Sequence, residues 1–186
     1  MAYVAAGLVV GVMVVRRRSP PAFAALAAVT ALQGLGSWLY HGDNGDLARF
    51  LHDVSLIGVL SFLAGWHVGR LGDRSDRGAL IGLSAGLAAG TVTNLAAPGA
   101  TNLVVGALVT AVVVAEIAAR HRGEPAVWTA PLIGIGAVAL ALWFAGTSGS
   151  PLCAEQSWLQ PHGGWHVLTA LLVVAWADRA GRVPAP

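Results

Sequence analysis

Residues 50–69 read FLHDVSLIGVLSFLAGWHVG and are followed at once by Arg70. Twenty residues at about 1.5 Å each make a helix of about 30 Å, the thickness of a bilayer's hydrocarbon core. The apolar run is continuous and does not alternate, so it is not a strand of a membrane β-barrel. It stops at an arginine, a residue suited to the membrane boundary. The stretch therefore reads as a transmembrane helix. Yet it carries His52 and Asp53 in its first turn, where ionisable groups are costly without a partner.

Working outward, six more apolar runs have the same character. They cover residues 2–15, 22–41, 79–97, 102–119, 126–146 and 162–177. The first is short and ends at Arg16-Arg17-Arg18. A cleaved signal peptide would carry its basic residues before the apolar run and a small-residue cleavage site after it, so residues 2–15 read as a span. Backbone polar groups must be satisfied internally in lipid, so all seven runs are expected to be helices. The expected architecture is an all-α, seven-span bundle forming one domain over residues 1–186. Gly82, Gly86 and Gly90 recur at helical spacing, as small residues do where membrane helices approach closely.

Composition agrees with this reading. Of 186 residues, 56% are hydrophobic and 11% charged, with a mean hydropathy of +0.69. A soluble domain carries about 25% charged residues, and a soluble monomer this apolar would expose large greasy patches. Disorder, a nucleic-acid module and most soluble enzymes are excluded. The net charge of +2 implies no nucleic-acid partner, because the basic residues fall in short connections. Cys153 is the single cysteine, so no internal disulfide can form.

The arginines set the expected orientation. There are 11 basic residues, all arginine. Arg16, Arg17, Arg18, Arg70, Arg74, Arg77, Arg120, Arg122, Arg179 and Arg182 follow odd-numbered runs, and Arg49 alone lies on the other side. Basic loops stay in the cytoplasm. The N-terminus and Cys153 are expected outside and the C-terminus inside. An arginine-only basic set with abundant Ala, Gly and Val suggests a GC-rich bacterial gene, hence the bacterial cytoplasmic membrane.

Four of the six histidines then gather at the outer boundary: His41, His52, His162 and His166. Ser37 and His41 are spaced i, i+4, as are His162 and His166, so each pair shares a helix face. Two helical histidines at that spacing recur in zinc sites. A third from another helix, His41, would complete a three-ligand centre with one position open to water. Asp53 is the candidate base or orienter beside it. His52 neighbours Asp53 but projects about 100° away on a helix, and it stands outside the expected ligand set. Taken singly, each residue has a plainer reading: a solvated helix end, a hydroxyl bonded to its own helix, a charge at a helix N-terminus. Their joint placement on three runs favours metal binding.

At these positions the sequence resembles the CREST superfamily, the seven-span membrane proteins that include alkaline ceramidases, the adiponectin and progestin receptors and the hemolysin III group. That superfamily carries S-x-x-x-H on its second span, an Asp early in the third and H-x-x-x-H on the last. Ser37 with His41, Asp53, and His162 with His166 stand in those places. Pro161-His162-Gly163-Gly164-Trp165-His166 is most similar to the ceramidase and Per1-like branches. The resemblance implies Zn²⁺ on His41, His162 and His166, with Asp53 and Ser37 as catalytic residues close to the metal's water. It also implies hydrolysis of a membrane lipid, an N-acyl lipid or ester. The acidic, Asn-containing segment that ceramidases associate with calcium has no counterpart before the first run.

Two other functions compete with a zinc hydrolase. One is a receptor-like or structural bundle in which zinc ties the second and seventh spans together. The other is a transporter whose proton path would use Asp53, His67 and Glu116.

Overall fold

A computed structural model of the chain describes residues 1–16, 18–42, 45–146, 150 and 160–183. Among these, the regular structure is entirely helical. The helices are α1 (Ala2–Val15), α2 (Phe23–Gly42), α3 (Asp46–Arg70), α4 (Ser75–Ala96), α5 (Thr101–His121), α6 (Ala130–Ala145) and α7 (Pro161–Ala180). A single 3-10 turn, Pro98–Ala100, joins α4 to α5.

Every expected run contains a helix, but the boundaries move for local reasons. The third starts four residues early, at Asp46. Gly45 caps it in extended conformation, and Asp46 places a negative charge at the helix N-terminus. The sixth starts four residues late. Pro131 fits only the first turn of a helix, and the preceding segment spends its backbone groups elsewhere. The carbonyls of Ala126 and Val127 accept from Arg179, and the N–H groups of Val127 and Trp128 donate to Glu116.

Four helices are long and apolar enough to cross a membrane: α2, α3, α4 and α5, the last taken with its 3-10 turn. Helices α1 and α6 are apolar but shorter, at 14 and 16 residues. Helix α7 has 20 residues, but His162, His166, Asp178 and Arg179 dilute its hydropathy.

Helix α3 is the axis of the bundle and packs against α2, α4 and α5. Helix α1 joins α2 to α7, and α6 lies on α7. Helices consecutive in the chain run in opposite directions, so the bundle has two distinct ends. At one, the starts of α1, α3, α5 and α7 meet the ends of α2, α4 and α6, and the four clustered histidines lie there. Nine described arginines (Arg16, Arg18, Arg70, Arg74, Arg77, Arg120, Arg122, Arg179 and Arg182) belong to the other. Cys153 and Arg17 lie outside the described residues.

Small residues set the closest approaches. At Gly82, where α4 crosses α3, a Cβ would fall 2.9 Å from Gly65 Cα. At Gly36 it would fall 2.7 Å from the backbone nitrogen of His52, so glycine is what lets α2 lie against the first turns of α3.

The arginine end is fastened by aromatic rings. Phe23 stacks on Trp176 at 5.5 Å, Phe62 meets both edge-on, and Trp66 meets Trp176 edge-on. All four are almost wholly buried, which pins α2, α3 and α7 to one another. Beside them, His67 Nε2 accepts from the indole N–H groups of Trp128 (3.2 Å) and Trp176 (2.9 Å). Glu116 pairs with Arg70 and Arg120, both at 3.1 Å, and its carboxylate lies 3.4 Å from His67 Nδ1. Arg120 also donates to the carbonyl of Trp128. His67 and Glu116 are thus parts of one buried network that holds the α5–α6 connection on the bundle. Asp53 lies fourteen residues up α3, about 21 Å away along the helix, in a separate network.

Candidate metal centre

Helices α2 and α7 bring the histidines together, with His41 exposed and His162 and His166 half-buried. On α2, Ser37 and His41 are one turn apart, and Gly36 beside them draws that turn against α3. On α7, Pro161 opens the helix and His162 and His166 follow on one face. Trp165 between them packs against both rings, with centres at 5.2 Å from His162 and 4.5 Å from His166.

The structure brings His41, His162 and His166 together. One ring nitrogen from each lies within 4.8 Å of the others, close enough to bind a metal ion. The ring centres are separated by 5.1 Å (His41–His162), 5.2 Å (His41–His166) and 4.7 Å (His162–His166). His41 Nε2 and His166 Nε2 are 3.1 Å apart. Two nitrogens on a tetrahedral ion at 2.0–2.1 Å would stand about 3.3 Å apart, so the spacing fits a metal of zinc's size. Imidazole donors suit zinc, copper, iron and nickel alike. His166 is further fixed by Tyr3, whose ring meets it edge-on at 5.6 Å and whose hydroxyl lies 2.6 Å from Thr169 Oγ1.

Ser37 is buried and lines a cleft of about 400 Å³ between α1, α2 and α7, together with Tyr3, His41 and His166. Trp38 and Val167, both about half exposed, form its apolar rim.

Asp53 is not part of the three-histidine cluster. One carboxylate oxygen lies 2.8 Å from His52 Nδ1, and the other accepts from Asn94 Nδ2 (3.1 Å) and Thr101 Oγ1 (3.2 Å). It therefore ties α3 to α4 and α5. His52 lies on the inner side of this arrangement, its ring stacked on Tyr40 at 5.1 Å and edge-on to His41 at 6.3 Å. Helical spacing separates the stems of His52 and Asp53, but the His52 ring turns back to its neighbour. Asn94 and Thr101 were hidden in the sequence, because each reads as an ordinary polar residue near a span end. The short α4–α5 connection was the available signal, since it returns both residues to the end that holds Asp53.

The chain matches no family model, no curated protein and no solved structure.

Proposed function

We propose that this protein is a seven-span membrane hydrolase that holds zinc on His41, His162 and His166 and cleaves the amide or ester of an N-acyl lipid, in the manner of a ceramidase. The observation that carries the reading is the meeting of three imidazoles from α2 and α7 beside a cleft lined by Ser37. In this proposal α1, α6 and α7 complete the traverse begun by the four longer helices. The arginine end faces the cytoplasm of a bacterium, and the histidine end faces the outer leaflet. The short α1 and α6 reach the interfaces by local thinning of the bilayer, at a modest cost.

Zinc, when bound, supplies a Lewis acid and lowers the pKa of water to about 7. The chain supplies the rest. The Ser37 hydroxyl, one turn from His41, donates to the substrate's carbonyl oxygen as charge develops there. The Asp53 carboxylate, braced by Asn94 and Thr101, takes up the proton released in hydrolysis and returns it to the leaving group. Trp38 and Val167 at the rim offer apolar surface to an acyl chain.

The test is turnover of an N-acyl lipid panel by purified protein, with and without chelator. Cleavage that disappears with the chelator and returns with zinc supports the hydrolase. A zinc-loaded protein that cleaves no lipid amide or ester overturns it and leaves the receptor-like or structural zinc bundle.

A further inference from the structure

Three histidines form the cluster, but the end of the bundle holds four. His52 is the one whose ring is held by a carboxylate: its Nδ1 lies 2.8 Å from Asp53 Oδ1. A carboxylate can only accept, so Nδ1 carries the hydrogen, and in the neutral ring Nε2 has a lone pair. That Nε2 is buried and has no hydrogen-bond partner among the described residues. The side chains of His52 and Asp53 are 12% and 14% exposed, so water does not freely satisfy them. Buried nitrogens of this kind are uncommon, and one beside a candidate metal centre calls for a group to bond with it.

The ring is not placed as a fourth ligand. The three clustered rings are 4.7–5.2 Å apart, whereas His52 stands 6.3 Å from His41. It is one layer further out, between Asp53 and the cluster. Its orientation is fixed on both sides, by Asp53 at Nδ1 and by Tyr40 stacked on its face. Asp53 is fixed in turn by Asn94 on α4 and Thr101 on α5. A carboxylate bonded to one ring nitrogen fixes the tautomer and orientation of an imidazole near a metal site.

We propose that His52 is a positioning residue of the three-histidine centre. Asp53 acts on the centre through the His52 ring, and Nε2 accepts one hydrogen bond from a donor held there: water, or the N–H or hydroxyl of an N-acyl lipid. The proposal rests on the zinc reading of His41, His162 and His166. It assigns the contact with the centre to His52 and makes Asp53 its anchor.

The test uses full-length protein in detergent with ¹⁵N-labelled histidine, zinc as the probe, and the variants His52→Gln, Asp53→Asn, the double variant and His166→Ala. A far-downfield imidazole N–H resonance is expected from His52 in the metal-free wild type. It should be absent from His52→Gln and Asp53→Asn and present in His166→Ala. Zinc should shift it in the wild type and leave it unmoved in His166→Ala. Zinc content should be unchanged in His52→Gln and Asp53→Asn. Turnover should fall by about 10²-fold in His52→Gln, to the level of Asp53→Asn, and drop no further in the double variant. A wild-type protein without the resonance, or with one that zinc leaves in place, overturns the proposal. So does loss of zinc from His52→Gln alone, which would make His52 a ligand. Failure of the wild type to take up zinc defeats the metal reading instead, and the metal-free spectrum still reports whether the His52–Asp53 pair exists.

Discussion

His41 Nε2 and His166 Nε2 stand 3.1 Å apart, although 125 residues separate them in the chain. Two imidazoles brought that close share one hydrogen or one metal ion. The helices that carry them meet at one end of the bundle, and His162 closes the triangle from the turn before His166.

The first expectation is metal content. Purified wild type should hold about one zinc per chain, read by elemental analysis. His162→Ala and His166→Ala should each lose most of it, since two imidazoles hold a tetrahedral ion far less tightly than three. His121→Ala, at the arginine end of α5, should retain it. Equal zinc in all of these proteins would sink the site as drawn.

Catalysis should separate from metal retention. Asp53→Asn keeps the shape of the side chain and should keep the fold and most of the zinc, while turnover of an N-acyl lipid falls by roughly 10²–10⁴. Ser37→Ala should cost about 10²–10³ at most, the usual worth of one donor to a developing oxyanion. Full activity in Asp53→Asn would remove Asp53 from the proton path and leave it as a tie between α3, α4 and α5.

Orientation can be read with two introduced cysteines in a Cys153→Ser background. Gly99, in the α4–α5 turn, faces open space at the histidine end, and Arg182 is exposed beyond α7 at the other. A membrane-impermeant thiol reagent should label Gly99→Cys on intact spheroplasts and Arg182→Cys only after lysis. The reverse pattern would invert the topology.

Stability should depend on Glu116 far more than on exposed ion pairs. Its carboxylate accepts from Arg70, Arg120 and the backbone of Val127 and Trp128, and the Arg70 side chain is only 2% exposed. Glu116→Gln leaves the buried Arg70 charge with one described carboxylate, Glu124, beside the Pro125 carbonyl. Unfolding in detergent should show a loss of about 3 kcal/mol. Arg182→Ala breaks an exposed pair with Asp178 and should cost under about 1 kcal/mol. Similar losses in the two variants would mean that the Glu116 network does not hold the α5–α6 connection.

The sequence by itself determined that the chain is helical and suited to a membrane. Those properties are local: run length, continuity and the residue after each run follow from the chain's own order. It also marked His41, His162 and His166, because i, i+4 spacing makes neighbours on a helix without reference to anything else. Only the tertiary structure decided the partners. That Asp53 bonds His52, Asn94 and Thr101, and that His67 receives two indoles while facing Glu116, depends on which helices touch and at what height. Such contacts join residues up to 109 positions apart, and the glycines at 36, 65 and 82 set how closely the backbones pass. The His52 ring shows the division most sharply. Helical spacing correctly separates its stem from that of Asp53, but side-chain rotation within the space the bundle leaves returns the ring to the carboxylate, and no sequence period carries that information.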